Sequence, residues 1–357
     1  MTSFWERNER RLSLLAFVGG FLWDTLMLTE IDRLRDNLIL LAYLVIAFTC
    51  IVLLNAHRAR LKKKASPFPA IGFIEFAMQF AFGGLFSVFI IFFSRSGAVI
   101  ASLPFLLVLG SFFVGNELFK KHYERLTFQM SVFFAILFSY SVLILPVILG
   151  EIGADIFILS GGLALVLFWL SLRALRLVAR DEVEASKRVL LPIVGILLIT
   201  FNVLYFNNMI PPIPLSLKDI GVYHSLSRAK SGEYVLGFEK ARWYEFGEKT
   251  ASVFHRTGDG PVYVFSSIYA PTRLDTPVVH RWLRQDDGTG EWTTVTTVSF
   301  IISGGRAEGF RGYSTKEHIT AGKWRVDVET PRGQIIGRFD FTVEDTAENP
   351  TLKEETF

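Results

Sequence analysis

Long apolar runs fill the first 208 residues of this 357-residue chain, and short charged loops separate them. A helix needs roughly 20 apolar residues to cross a hydrocarbon core of about 30 Å. The runs therefore predict a polytopic α-helical membrane region with about seven transmembrane helices. The predicted spans cover residues 12–28, 37–56, 71–93, 98–119, 127–149, 156–175 and 189–207.

The polar pattern changes after residue 208. Residues 209–217 contain three prolines, which block a helix, so we expect an extended, semi-rigid linker there. Residues 218–345 show short alternating segments rich in Val, Thr, Tyr, Phe and Trp, bounded by Gly, Asp and Pro. This pattern predicts an all-β domain with an immunoglobulin-like sandwich architecture. The acidic residues 346–357 predict a flexible tail.

Alternation is clearest in one segment of the β domain. Trp324, Val326 and Val328 alternate with Arg325 and Asp327, as expected for a strand with one buried face. Predicted strands lie near residues 222–227, 234–238, 251–255, 262–269, 278–284, 292–302, 323–329 and 334–343.

The distribution of basic residues predicts the orientation in the membrane. Loops on one side carry 16 Lys and Arg residues, and the loops opposite carry Arg33, Arg35 and Arg95. Because basic loops stay in the cytoplasm, the N-terminus is predicted inside and, after seven crossings, the β domain outside. We therefore expect a multi-pass protein of the bacterial inner membrane with a periplasmic C-terminal domain.

Composition narrows the function classes. The hydrophobic fraction is 51%, and the net charge of +3 divides into 19 Lys+Arg against 14 Asp+Glu up to residue 208, then 18 against 20. The β domain is slightly acidic, which argues against a nucleic-acid partner. The lone cysteine, Cys50, lies in an apolar run, so an intrachain disulfide or a Cys-based metal cluster is excluded. We expect neither a metal nor a cofactor.

Several sequence motifs of the β domain, and the order in which they occur, are similar to those of a known family. The residues are His280-Arg-Trp282, Arg311, Gly322-Lys-Trp-Arg-Val-Asp-Val328 and Phe339-Asp-Phe-Thr-Val343, preceded by Pro211-Pro-Ile-Pro-Leu-Ser-Leu217. Their arrangement resembles the bacterial domain-of-unknown-function 2914 family over about residues 211–343. The resemblance implies a β fold and an envelope context, and it implies no activity.

Ionisable and amide residues within the predicted spans are candidates for function, because their insertion costs roughly 2.5 to 3.5 kcal/mol for a charged group. Glu75 and Gln79 share a helix face, and Glu75 and Glu117 are predicted at the same cytoplasmic depth. They could line a proton- or cation-accessible pocket, or they could simply be solvated near the interface. The intramembrane candidates are Asp24, Glu75, Gln79, Asn116 and Glu117.

The β domain offers no catalytic motif such as Gly-x-Ser-x-Gly or a phosphate-binding loop. Its histidines lie on separate predicted strands, although three of them could converge in a sandwich. Aromatic residues could fill the core or form a binding patch. The binding candidates are Trp243, Tyr244, His280, Trp292 and Arg311.

Two hypotheses follow from the sequence. The first is a membrane-anchored envelope protein without enzymatic activity, whose periplasmic β-sandwich binds a protein, a glycan or a lipid-linked partner. The second is a transporter or lipid-handling protein with a site among the helices near Glu75, Gln79 and Glu117. The sequence does not fix the oligomeric state.

Overall fold

The structure, a computed structural model, describes residues 34–62, 71–95, 99–118, 125–230, 233–241, 249–306 and 308–357. The chain divides into a helical unit and a β unit, with the main boundary between Ile210 and Pro211. The first predicted span, residues 12–28, and the candidate Asp24 lie outside the described residues.

Five helical segments form the described part of the helical unit. Four of them are long and apolar enough to cross a membrane by length and composition, and the described part of α3 contains a shorter apolar stretch, Leu103–Phe112. Apolar helices are thus present, but the predicted count of seven spans is not confirmed. The segments are α1 (Leu34–Lys62), α2 (Ile71–Arg95), α3 (Val99–Leu118), α4 (Leu126–Leu149) and α5 (Ala154–Phe206).

Helix α5 is folded back on itself. Its 53 residues are interrupted at Ala179, which has non-helical backbone angles of φ −140° and ψ 53°. The rings of Phe157 and Tyr205 stack with centroids 3.8 Å apart, and Arg176 pairs with Glu184 at 2.6 Å. A straight helix would separate residues 157 and 205 by about 70 Å. The two arms therefore run antiparallel, and they contain the predicted span 156–175 and all but the last residue of the predicted span 189–207.

Phenylalanine side chains dominate the core of the helical unit. Phe138 of α4 lies 4.5 Å from Phe201 of α5 between ring centroids, and Phe134 lies 5.4 Å from Phe168. Other large apolar side chains stay exposed, including Phe73 and Leu177, which are 70% and 87% exposed. Such an exposed apolar surface suits a lipid environment.

Eleven strands form the described part of the β unit. They make a three-stranded sheet in the order β1-β5-β8, a five-stranded sheet in the order β4-β10-β9-β6-β7 and a small sheet in the order β11-β3-β2. The strands are β1 (Ser216–Tyr223), β2 (Ser225–Arg228), β3 (Tyr234–Phe238), β4 (Val253–Arg256), β5 (Val262–Tyr269), β6 (Asp275–Gln285), β7 (Trp292–Ser303), β8 (Phe310–Lys316), β9 (Gly322–Glu329), β10 (Ile335–Asp345) and β11 (Lys353–Thr356).

The three-stranded and five-stranded sheets pack face to face. Ser266 of β5 and Ser314 of β8 hydrogen-bond to His280 of β6 across the interior. Small residues let the sheets approach, since a Cβ on Gly312 would lie 2.3 Å from the Phe300 ring. The all-β prediction is confirmed, but an immunoglobulin-like topology is not. A third sheet is present, and β4 pairs with β10 in parallel.

Two sequence-based expectations about chain segments differ from the structure. The proline-rich linker is not simply extended, because the N–H groups of Ile213 and Leu215 close turns onto Pro211 and Pro212, and Leu215 is buried. The predicted flexible tail contains β11, which pairs with β3. Phe357 then packs against Phe265 with ring centroids 5.4 Å apart. Apolar burial at the end of an acidic segment explains its order.

Candidate binding surface on the five-stranded sheet

The outer face of the five-stranded sheet carries a registered set of charged residues. Trp324, Val326 and Val328 of β9 are buried towards the core, so the intervening Arg325 and Asp327 point to the other side. Residues opposite each other on neighbouring strands share a face. We call the resulting set the ion-pair ladder. Its members are Arg281 of β6, Arg325, Asp327 and Glu329 of β9, and Arg338 and Asp340 of β10.

Each arginine of the ion-pair ladder binds a carboxylate. Arg338 donates to both oxygens of Asp327 at 2.6 and 2.8 Å, and Arg325 donates to both oxygens of Asp340 at 2.5 and 2.9 Å. Arg281 donates to Glu329 at 2.7 Å. The side chains of Asp327 and Glu329 are only 7% and 6% exposed. The ladder is therefore electrically neutral and holds the register of three strands.

Two groups of the ion-pair ladder have raised pKa values, one because of burial and the other because of pairing. Burial raises the pKa of the Glu329 carboxyl, although the hydrogen bond from Arg281 opposes the shift. The hydrogen bond to Asp327 raises the pKa of the Arg338 guanidinium, despite the opposing effect of burial. Glu329 therefore releases its proton less readily than an ordinary glutamate, while Arg338 stays charged.

Trp292, a predicted binding residue, lies at the start of β7 on this outer face. The Arg325 guanidinium sits over its ring, 4.1 Å from the centroid. This is a cation–π contact, and Asp340 holds the same guanidinium from another direction. Trp292 is half-buried, so one face of the ring is covered rather than free for a ligand.

Strand β7 forms an edge of the five-stranded sheet. It pairs with β6 on one side, and no strand among the described residues pairs with its other side. Its twelve residues, from Trp292 to Ser303, include no charged residue and no proline. Ile301 is 69% exposed and Val295 is 46% exposed. Natural edge strands usually carry lysine, proline or a bulge against pairing, because their backbone groups are open.

A bulge divides β7 into two parts. The register with β6 shifts between the pairs Trp282↔Thr296 and Leu283↔Thr294, which leaves Val295 as the extra residue. The part from Thr296 to Ser303 keeps regular pairing with β6 over eight residues. Thr297, Ser299 and Ile301 point outwards there and are exposed. This regular, uncharged part is the free edge segment of the domain.

His280, another predicted binding residue, lies in the core rather than on the surface. Its side chain is fully buried, with Nε2 2.8 Å from Ser266 Oγ and Nδ1 2.9 Å from Ser314 Oγ. Trp282 Nε1 also donates to Ser314 Oγ at 2.9 Å. Burial lowers the pKa of His280 to about 3, so the ring is neutral. Its period-2 spacing with Val278 and Trp282 is the sequence signal for this inward position.

The other predicted binding residues are not brought together. Arg311 is half-buried in β8, opposite Ser267 of β5, and so belongs to a different sheet from Trp292. Trp243 and Tyr244 lie outside the described residues. A single patch formed by all of the candidates stays a prediction without support from the described residues.

The helical candidates have a similar outcome. Glu75 and Gln79 lie one turn apart in α2 and are both half-buried. Asn116 and Glu117 fall within α3, but their side chains lie outside what the structure describes. The predicted pocket among these residues therefore stays a prediction.

Sequence reasoning missed a buried amide pair in the helical unit. Asn55 of α1 donates to Gln129 Oε1 of α4 at 2.7 Å, and also to the carbonyl of Ile51 at 2.8 Å. Both side chains are fully buried. Each amide interrupts an apolar run, which was the available signal. Their contact joins two helices, as interhelical polar contacts do in membrane proteins.

A second missed cluster joins two sheets of the β unit. Glu239 accepts hydrogen bonds from His224 Nε2 at 2.9 Å, from His255 Nδ1 at 2.5 Å and from the His255 N–H at 2.8 Å. Burial opposes ionisation of Glu239, but these bonds outweigh it and lower its pKa. Within the described residues, no group of His, Cys, Asp and Glu has the geometry of a metal site. The cluster depends on strand pairing, which spacing along the chain does not reveal.

A comparison with protein-family models finds one family that matches most of the five-stranded sheet. Residues 275–343 match the family model described as Protein of unknown function (DUF2914). The matched residues run from β6 to β10, and so include the ion-pair ladder and β7. The DUF2914 resemblance is thus confirmed for these residues. No curated protein matches the chain.

One solved structure covers most of the chain at low similarity. It is Pseudomonas fluorescens alkylpurine DNA glycosylase AlkC bound to DNA containing an abasic site analog, with 10% identity and a TM-score of 0.20. The alignment covers 88% of this chain and 99% of that one. A likeness this weak carries no argument about fold or function.

Proposed function

We propose that this protein is a membrane-anchored binding module, in which apolar helices hold the chain in a bilayer and the β unit binds a partner protein outside the cytoplasm. The charge distribution between the loops supports the orientation. The exposed apolar side chains of the helical unit support the bilayer location. The DUF2914 match lies entirely in the β unit, which is consistent with a separate membrane-anchoring region and binding domain.

The free edge segment of β7 is the observation that carries the proposal. It offers eight consecutive residues with regular geometry and no charge, beside a sheet whose register is fixed by the ion-pair ladder. A rigid sheet with an open edge can accept an extended segment as an additional strand. Main-chain hydrogen bonds would supply affinity, and outward side chains such as Thr297 and Ile301 would supply selectivity.

This mode of binding favours a polypeptide over a glycan or a lipid headgroup. A strand presents alternating N–H and C=O groups that match those of an edge strand. The aromatic residue on the same face, Trp292, has one face of its ring covered by Arg325, so that face does not offer a stacking platform for a sugar. The binding surface is therefore proposed as a backbone edge and not as an aromatic patch.

Site-specific photo-crosslinking in native membranes tests the proposal. A photoreactive amino acid at Ile301, in the full-length chain, is expected to capture a protein adduct. A photoreactive residue at Leu352 serves as the matched control, because Leu352 is also exposed but lies beside Gly237 of β3, in the small sheet. Adding Thr297→Lys should abolish the adduct from position 301. Equal adducts from both positions, or an adduct insensitive to Thr297→Lys, would contradict strand addition.

A further inference from the structure

We infer that the partner of the β7 edge is a second copy of this chain, paired antiparallel through the free edge segment from Thr296 to Ser303. This inference rests on the proposed function, since it names the partner of the same edge. A two-fold axis perpendicular to the sheet makes the two strands antiparallel and keeps each face continuous. The two five-stranded sheets would then form one sheet of ten strands across the pair.

The pleat of the strand restricts the register of such a pair. Directly opposite residues must point to the same face, so only residues of like parity can meet. An axis at Ser299, near the middle of the free edge segment, satisfies this condition. Thr297 of one copy then lies opposite Ile301 of the other on the outer face, and Val298 lies opposite Phe300 on the inner face. The exposed Ile301 would gain a β-branched neighbour.

Charge supports a second copy as the occupant. A charged strand would find no counter-charge along β7, which has none over twelve residues. The matching chemistry is an uncharged strand rich in β-branched residues, and β7 is itself such a strand. Self-pairing therefore meets no like-charge opposition within the strand.

A lysine of β8 lies beside the free edge segment, and in this register it does not oppose pairing. Lys316 of β8 donates to Thr296 Oγ1 at 2.7 Å. With the axis at Ser299, the two copies of Thr296 lie six residues apart, a separation of about 20 Å. This exceeds the screening length of about 8 Å at physiological salt, so the two lysines do not oppose pairing.

A cysteine placed on the axis tests the register directly. In a Cys50→Ser background, Ser299→Cys is expected to form a chain-to-chain cross-link in native membranes, because residue 299 meets its own copy. Cβ atoms of directly opposite residues lie about 4.5 to 5.5 Å apart, which a short bis-maleimide can bridge and which a disulfide can bridge at the shorter end. Thr293→Cys is the matched control, since it is exposed on the same strand but lies beyond the bulge.

The oligomeric state of the purified full-length chain in detergent completes the test. Thr297→Lys should weaken dimerisation by about tenfold or more, because it puts an ammonium group against the apolar Ile301 of the other copy, whereas Thr293→Lys should not. Unchanged tryptophan fluorescence of both variants at room temperature would show that the domain stays folded. The expected result is a dimer that cross-links at residue 299 and dissociates on Thr297→Lys.

Two other outcomes overturn the inference, and they differ in what they mean for the proposed function. A monomer without cross-linking at residue 299, combined with a photo-adduct of a different protein at Ile301, refutes self-pairing and keeps strand addition. A dimer insensitive to Thr297→Lys, with neither a cross-link at 299 nor an adduct at 301, refutes both.

Discussion

The imidazole of His280 is held neutral by the groups around it. It lies in the interior with two serine hydroxyls on its ring nitrogens, and no acidic side chain contacts it among the described residues. Burial without a counter-charge disfavours the protonated form. The same residue in an unfolded chain would titrate near 6.5. The native and unfolded states therefore bind different numbers of protons at mildly acidic pH.

Acid should destabilise the β unit through this residue. As the pH falls through 6.5, the unfolded chain takes up a proton at His280 that the native state refuses until about pH 3. The free energy of unfolding then falls by at most about 1.4 kcal/mol per pH unit over that window. Melting followed by tryptophan fluorescence at pH 7 and pH 5 should show a larger drop for the wild type than for His280→Gln.

The choice of pH window isolates His280 from Glu239. The pKa of Glu239 is lowered, so its contribution to stability is present above its unfolded pKa of about 4.5 and is lost only below that value. Equal losses in the wild type and in His280→Gln between pH 7 and pH 5 would contradict the assignment of a neutral buried imidazole.

At the residue scale, the sequence was sufficient to predict the positions of some site residues but not of others. The alternation Val278-x-His280-x-Trp282 puts His280 on the buried face of a strand, so its position in the core was predictable from the sequence. The Glu239 cluster was not, because His224, Glu239 and His255 come from segments brought together by strand pairing. Asn55 and Gln129 were visible as lone amides in apolar runs, but the helix contact between them was not.

Among the elements, β9 and its neighbours depend on paired charges. Asp327 is nearly buried and receives two hydrogen bonds from Arg338. Removing one member of a buried pair leaves the other charge without compensation, which costs more than the pair itself contributes. The ladder is therefore sensitive to single substitutions and tolerant of matched ones.

Arg338→Ala should lower the free energy of unfolding by about 3 kcal/mol, because the nearly buried Asp327 loses its counter-charge and two hydrogen bonds. The matched control is Asp287→Ala, which removes an exposed partner of Arg284 at 3.8 Å and should cost well under about 1 kcal/mol. Thermal melting of both full-length variants provides the comparison. A smaller effect for Arg338→Ala than for Asp287→Ala would show that the ladder contributes nothing to stability.

Element boundaries were predicted unevenly from the pattern. Strands β3 and β5 fall at the predicted residues, because both have flanking turns and strong β-branched or aromatic content. Strand β8 was missed since its Gly312 and polar residues mask the period, and β11 was missed since its residues are charged. The fold-back of α5 needed no proline or glycine at Ala179, so only the basic residues between its two apolar runs indicated it.

For the whole molecule, the division at residue 210 and the loop charges together predict that the β unit lies outside the cytoplasm. A reporter enzyme that is active only outside the cytoplasm, fused after Phe357, is expected to be active, because the basic loops are predicted to stay in the cytoplasm on the opposite side. A cytoplasm-active reporter at the same position is the control and should be silent. The reverse pattern would invert the orientation and would remove the partner proposed outside the cytoplasm.

The pairing of β3 with β11 has a consequence for how the β unit forms. One edge of β3 is completed only by residues more than 110 positions further along the chain, and β4 likewise waits for β10. Contacts between such distant segments make folding slow, because a long loop must close before they are gained. Leu236 and Phe238 are buried in the native domain, in a cluster against which Phe357 also packs. If the β unit lies outside the cytoplasm, as proposed, this apolar cluster would stay incomplete until β11 has crossed the membrane.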